Sequence, residues 1–369
     1  MKSKFGLYLH VPFCASKCRY CDFYSYPPTA GEMDAYVDAL CRCMAGWAAD
    51  AAGETADTVY LGGGTPSLLG AERLMKIIGK ARTCFSLSPD AEITVECNPD
   101  SMTDALLDGL RQAGVNRLSI GVQSAHDDEL AMLGRRHSFA QAADAIARAR
   151  ACGFDNLSLD LMYGLPGQTA ARFLESVDAL LEFYPEHLSC YGLKLEPGTP
   201  MGRENPTLPD DDAQADLYLM LCARLRQAGY EHYEISNWAR PGRRSRHNSK
   251  YWDLTPYLGL GPGAHSLWRG ARFAYPRDTD RFLAGGAPEP EEETPDFPAW
   301  AEYLMLALRT ADGVHGAAFS ERFGMEFAPF EKRLRDLSAS DLTEQTADGW
   351  RLTEQGFLVS NSVINYVIQ

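Results

Sequence analysis

Phe5-Gly6-Leu7-Tyr8-Leu9-His10-Val11 runs straight into Pro12-Phe13-Cys14-Ala15-Ser16-Lys17-Cys18-Arg19-Tyr20-Cys21. The apolar start reads as a strand that Pro12 ends. Three cysteines follow at C-x3-C-x2-C spacing on the loop after it. Thiolates this close can converge on one metal centre. Three is one short of a closed tetrahedral zinc site or of a fully ligated [4Fe–4S] cube, and no further Cys or His lies in the motif. Three buried structural thiols would not need to crowd into eight residues. A [4Fe–4S] cluster on Cys14, Cys18 and Cys21, with one iron left open, fits this spacing best.

The same strand-then-loop unit recurs along the first half of the chain. Strands are expected at 5–11, 57–61, 92–96, 116–122, 156–162 and 187–195. Helical periodicity lies between them at 31–49, 71–82, 103–113, 127–133, 138–151 and 170–183. Gly114 is placed to cap the helix before it. Short Leu/Ile/Val strands alternating with helices indicate a parallel sheet with helical crossovers, here a partial (β/α)6 TIM-like barrel. In such a fold the loops at the strand C-termini share one rim, where the chemistry sits. The cysteine loop is one of them.

Beyond residue 200 the alternation stops. A helix is expected to start within Pro209-Asp210-Asp211-Asp212 and run to about Gly229, followed by an aromatic-, Gly- and Arg-rich stretch over 230–275. A Pro- and Glu-rich connector over 285–295 reads as a domain boundary. Helices at about 298–311, 315–323, 328–337 and 357–368, with a hairpin strand at Trp350, suggest a small winged-helix-like domain. The expected organisation is therefore 1–200, the barrel; 201–285, its extension; and 296–369, the C-terminal domain.

Composition narrows the function classes. A net charge of −15 disfavours nucleic acid as the main partner, including for the winged-helix-like domain. The N-terminus lacks the long apolar stretch of a signal peptide, and no run approaches the ~18 residues of a membrane span. Cytoplasmic localisation is expected, with peripheral membrane contact left open. Ten cysteines without a secretory signal read as free thiols or metal ligands.

Further motifs accompany the cysteine loop: Leu61-Gly62-Gly63-Gly64-Thr65-Pro66, Glu96-x-Asn98-Pro99, Leu118-Ser119-Ile120-Gly121-Val122-Gln123-Ser124, Asp160-Leu161-Met162-Tyr163-Gly164-Leu165-Pro166-Gly167-Gln168 and Leu258-Gly259-Leu260-Gly261-Pro262-Gly263-Ala264-His265-Ser266. The glycine run is either a tight strand-to-helix turn or a place where backbone approaches a ligand closely. It is no Walker loop, since no Gly-Lys-Ser/Thr follows. Glu96, Gln123, Arg135 and Asp160 end or follow strands, as structural caps or as rim ligands. Arg136 competes with Arg135.

Together, and in this order, these motifs resemble the radical S-adenosylmethionine superfamily. Within it they resemble the oxygen-independent coproporphyrinogen III oxidase-like family, and there its heme-chaperone branch. The resemblance implies that the open iron binds the amino and carboxylate groups of S-adenosylmethionine, and that a reduced cluster cleaves it to a 5′-deoxyadenosyl radical. It implies cofactor contacts from Tyr8, Tyr20, Gly63, Gly64, Thr65, Glu96, Gln123, Arg135, Asp160, Gly192 and Ala264. Arg135 would pair with the methionine carboxylate.

His247-Asn248-x-x-Tyr251-Trp252 is characteristic of the chaperone branch. It is either an aromatic surface loop or the heme site, with His247 as iron ligand and His232 and His265 as rivals. The oxidase carries a fourth cysteine where this chain has Phe23, and an N-terminal extension that this chain lacks. Both differences favour heme handling over decarboxylation. The resemblance thus implies a heme chaperone that passes heme to an apo-hemoprotein, expected to be a respiratory one, with an unspecified electron donor. Oxidative decarboxylation of coproporphyrinogen III is the alternative. RNA modification is disfavoured by the charge.

Overall fold

In a computed structural model, residues 3–29, 31–284, 289–293 and 297–369 are described. The chain divides into two compact units, one of residues 1–210 and 255–293, the other of residues 211–254 and 294–369. This division differs from the expected boundaries: residues 211–254 group with the C-terminal part, and 255–293 with the N-terminal half. Most of the expected connector at 285–295 lies outside the described residues, but Glu291–Glu293 is a strand.

The first unit begins with β1 (Lys4–Val11), α1 (Glu32–Trp47), β2 (Thr55–Gly63), α2 (Gly70–Cys84), β3 (Leu87–Cys97) and α3 (Asp104–Gln112). It continues with β4 (Arg117–Gln123), α4 (Asp127–Leu133), α5 (Phe139–Ala151), β5 (Leu157–Tyr163), α6 (Ala170–Leu181), β6 (His187–Gly192) and α7 (Pro200–Glu204). The six strands pair in parallel in chain order, with Tyr8 opposite Tyr60 and Asp160 opposite Ser189. Burial on both faces explains their apolar runs: every residue of β4 is buried.

Local sequence sets the helix ends. Ser138 and Gln141 form a reciprocal capping box at the start of α5. At the end of α3, Val115 N–H bonds the Leu110 carbonyl and Gly114 N–H the Arg111 carbonyl, both at 2.9 Å, with Gly114 at φ +82°. That double bond is the Schellman stop, and it needs the left-handed conformation that glycine tolerates.

The chain then supplies α8 (Asp211–Gln227), β7 (Glu231–Glu234), β8 (Asn237–Ala239) and α9 (Arg246–Asp253) to the second unit. It returns to the first with β9 (Tyr257–Leu260), β10 (His265–Trp268), β11 (Ala271–Ala274), α10 (Thr279–Leu283) and β12 (Glu291–Glu293). β9 lies parallel to β1, and β10, β11 and β12 follow it outward in antiparallel order. β1 therefore has β9, not β6, as its second neighbour, so the barrel is partial and not closed. The acidic β12 ends that extension. Charged side chains on a sheet edge discourage further strand addition.

The second unit is completed by α11 (Ala299–Ala307), β13 (Val314–His315), α12 (Gly316–Phe323), α13 (Ala328–Ser338), β14 (Thr343–Gln345), β15 (Gly349–Leu352), α14 (Glu354–Leu358) and α15 (Ser360–Ile368). β13, β15 and β14 form a small antiparallel sheet in that order. The expected final helix is two helices, broken at Val359. Thr353 caps the first of them through Gly356 N–H. Among the described residues no helix is long and apolar enough to cross a membrane.

Candidate functional site

The C-terminal ends of β1–β6 bring the cysteine loop, the glycine run and the strand-end polar residues around one cavity of about 610 Å³. Cys14, Cys18, Tyr20, Cys21, Gly63, Gly64, Thr65, Glu96, Gln123, Arg135, Asp160 and Gly192 all line it. Parallel strands in chain order make this inevitable once each loop follows a strand: the loops can only gather on one side of the sheet.

The cysteine loop is tied down from both flanks. Cys14 N–H bonds the Tyr26 carbonyl at 3.0 Å, and Arg19 N–H bonds the Leu133 carbonyl at 3.0 Å. All three thiols are free and partly exposed to the cavity. Cys14 Sγ lies 3.3 Å from Thr65 Oγ1, and Arg135 Nη1 donates to Cys18 Sγ at 3.5 Å. Burial pushes the Cys21 thiol above its ordinary range. Such a thiol gives up its proton when a cation arrives to pay the electrostatic cost of the thiolate.

Two glycines bring the backbone against the loop. Gly64 N–H bonds the Val11 carbonyl and Thr65 N–H the Phe13 carbonyl, both at 2.7 Å. A Cβ on Gly64 would stand 2.5 Å from the Phe13 oxygen, and one on Gly63 2.5 Å from the His10 ring. Gly63 also sits at φ +109°. A glycine run is thus required by packing and conformation, whatever else it does.

Two carboxylates line the same cavity as the cysteines. Glu96 accepts from the Tyr60 hydroxyl at 2.8 Å and from Gly63 N–H at 3.1 Å. Asp160 accepts from Ser119 at 3.4 Å. Both contact the cavity, yet little bulk water surrounds them. Burial raises the pKa of each, and the neighbouring Glu96 charge helps push Asp160 up to about 7. The site is therefore poised to accept positive charge. Arg135 is the counterweight, donating to Asn98 Oδ1 and the Gly121 carbonyl at 2.7 Å each. Arg136 is turned away to Asp100 at 3.2 Å and does not line the cavity, which separates the two adjacent arginines.

Tyr20 reaches the cavity over an apolar cluster of Leu133, Met162, Leu165, Leu193 and Met201. Phe23 stands at the edge, 67% exposed.

Two of the expected contacts are not among the lining residues. The Tyr8 hydroxyl is 3.0 Å from His10 Nδ1, while His10 Nε2 faces the Tyr24 carbonyl at 3.2 Å. Burial holds His10 neutral, with a pKa near 4, so Nε2 carries the proton and Tyr8 donates to Nδ1. Ala264 is fully buried, its backbone engaged with Gly261 and Tyr275. Conversely, Asn98, Tyr191, Lys194 and Arg277 line the cavity without having been singled out. Asn98 is the one with a signal, standing in Asn98-Pro99 and donating to Thr65 at 3.2 Å.

The histidine candidates separate. His265 is exposed and pairs with Glu293 at 3.0 Å. His247 opens α9 of the second unit, is buried, and has Nε2 2.9 Å from the Tyr251 hydroxyl. His232 lies on β7 of the second unit, stacked on Trp238.

Residues 8–180 match the family model of the Radical SAM superfamily, and residues 299–359 that of the HemN C-terminal domain. The heme chaperone HemW of Mycobacterium tuberculosis is 38% identical over 377 residues, covering 99% of this chain and 95% of its own. That of Escherichia coli is 35% identical, covering 97% of each. Among solved structures, the coproporphyrinogen III oxidase HemN of Escherichia coli, a radical SAM enzyme, superposes with a TM-score of 0.86. It covers all of this chain and 91% of its own at 22% identity, a likeness of fold.

Proposed function

The chain belongs to the heme chaperone HemW family of the radical SAM superfamily, and from that membership we propose that it binds heme and delivers it to apo-hemoproteins, with a [4Fe–4S] cluster and S-adenosylmethionine held at the barrel rim. The observation that carries the rim assignment is the gathering of three free thiols, a cradle without Cβ atoms and two carboxylates on one cavity.

These residues fit the group. Cys14, Cys18 and Cys21 offer three soft ligands and leave one coordination position for a non-protein ligand. A cluster with that open position supplies one-electron cleavage of S-adenosylmethionine to a deoxyadenosyl radical. Gly63 and Gly64 let main-chain groups approach an amino group, and Thr65 adds a hydroxyl beside Cys14. Glu96 and Asp160 supply the negative charge that a sulfonium and ribose hydroxyls would take. Arg135 offers its positive charge to a carboxylate while holding Cys18 and Asn98 in place. Gln123, at φ +75°, and Gly192 close the rim with their polar groups. Tyr20 gives a flat face against adenine. Tyr8 acts one step back, orienting the His10 ring on which Gly63 packs. Ala264 serves as packing.

For heme, His247 is the iron ligand in this reading, with Tyr251 as its hydrogen-bond partner in the free protein. Phe23 stands in the place of the oxidase's fourth cysteine and offers an apolar surface at the rim. The recipient is taken to be a respiratory hemoprotein.

Heme-loaded, cluster-bearing protein mixed with an apo-hemoprotein tests the delivery: holo-hemoprotein should appear, followed by its absorption. Anaerobic incubation with reductant, S-adenosylmethionine and coproporphyrinogen III tests the alternative, and formation of protoporphyrinogen would replace the chaperone reading by the oxidase.

A further inference from the structure

The second unit holds a cluster that the rim chemistry does not use. Cys222 on α8, His232 on β7 and Glu354 at the start of α14 place one ligand atom each within 4.8 Å of one another. All three line a cavity of about 690 Å³, whose lining residues all belong to this unit. Two consecutive elements, α8 and β7, and a third from near the C-terminus thus converge a thiol, an imidazole and a carboxylate on the wall of one cavity.

The surroundings hold these groups in place. The His232 ring lies parallel to Trp238, centroids 4.3 Å apart at 8°, with Phe357 on another side at 5.0 Å. His232 Nε2 is 3.3 Å from the Tyr218 hydroxyl, which donates to the Ile235 carbonyl at 3.2 Å. Glu354 Oε1 is taken by Arg226, which leaves Oε2 for a second partner. Trp238 is fully buried, and its indole Nε1 has no acceptor among the described residues. Burial drives the Cys222 thiol up to about 12 and the His232 imidazole down to about 4, so neither is charged in the free protein.

We propose that Cys222, His232 and Glu354 form a zinc site with its fourth position open to the cavity. The donor set is mixed S, N and O, the combination that zinc accepts in tetrahedral geometry, and a d¹⁰ ion imposes no other shape. Charge balances: thiolate and carboxylate together neutralise the dication, and Cys222 releases its proton as the ion binds. The Arg226 bond to the outer carboxylate oxygen and the stacked, hydrogen-bonded imidazole are the kind of outer partners that orient metal ligands. The site is independent of the rim cluster and of His247.

The test uses cluster-reconstituted protein, stripped of loose metal by chelator, exposed to zinc and desalted. One zinc per chain should remain beside an unchanged iron content, and absorption spectroscopy at the zinc edge should show a single sulfur at about 2.3 Å. Cys222→Ser and His232→Gln should each weaken zinc binding at least tenfold with the iron content unchanged. Because Cys222 is buried, Glu354→Gln at a partly exposed position is the second variant, expected to weaken zinc binding without changing the circular dichroism. No retained zinc, zinc surrounded by three sulfurs (the cysteine loop), or zinc binding unchanged in Glu354→Gln and His232→Gln would overturn the proposal.

Discussion

The carboxylate of Glu96 accepts the Gly63 N–H at 3.1 Å, joining the end of β3 to the glycine run at the end of β2. Through this bond the rim acceptor and the backbone cradle hold each other's position. Gly63 lies at φ +109° with the His10 ring where a Cβ would go, 2.5 Å away. Gly63→Ala should therefore destabilise the protein by roughly 2–4 kcal/mol, from left-handed strain plus overpacking. Gly70, at φ +78° with nothing within 4 Å of its would-be Cβ, is the control. Gly70→Ala carries the conformational cost alone, about 1–3 kcal/mol at φ +78° and ψ 169°, a region that almost only glycine enters. Urea midpoints of the two variants measure the difference.

Arg135 donates to Cys18 Sγ, and a hydrogen bond to a cluster sulfur favours the reduced state. Arg135→Ala should lower the reduction potential by roughly 60 mV, the equivalent of one ~1.4 kcal/mol charge-assisted bond in a one-electron couple. Redox titration followed by electron paramagnetic resonance reads this shift. An unchanged potential with intact iron content would remove Arg135 from the cluster's surroundings.

Asp160 gives the site a pH dependence. Its folded pKa of about 7 lies above the ordinary 3.8, chiefly through burial and then through Glu96. Between these values the folded chain holds a proton that the unfolded chain has lost. Asp160 thus costs stability as pH rises from about 4 toward about 7, and the loss is complete above that. A cation bound beside it reverses the preference and draws Asp160 into its charged form. Affinity for S-adenosylmethionine should accordingly rise several-fold from about pH 6 to about pH 8. Asp160→Asn should flatten that rise and remove the stability loss, measured by calorimetric binding and by thermal melting across the range.

Phe23 packs little of its surface and is 67% exposed. Phe23→Ser should change stability by less than about 0.5 kcal/mol, since exposed positions away from caps and cores rarely matter. Thermal melting of Phe23→Ser beside the parent protein checks this, and a shift of several degrees would contradict it.

Much of the first unit could be read from the chain because its order is local. Each strand is followed by its own loop and helix, so Cys14, Gly63, Glu96, Gln123 and Asp160 announce their shared rim by position alone. The glycine signal was as strong as its physical need, since Gly64 admits no side chain against Phe13. The later strands were not legible. β7 to β12 are three or four residues long, and β9 pairs with β1, some 250 residues away. The Glu291–Glu293 strand even carries the composition of a linker. The discontinuous second unit has the same cause: Cys222, His232 and Glu354 meet through packing that no periodicity encodes. Tyr8 and Ala264 mark the other limit. A strand residue's membership of the rim tells which end it occupies, and the His10 bond and the Gly261 turn decided where these two face.

The heme titration tests the central claim most directly. Heme added to the cluster-bearing protein should produce a saturable absorption change ending at one heme per chain, and His247→Ala should alter the spectrum or weaken binding at least tenfold. A wild-type titration with no saturation would contradict the chaperone assignment, and a spectrum unchanged in His247→Ala would contradict the ligand.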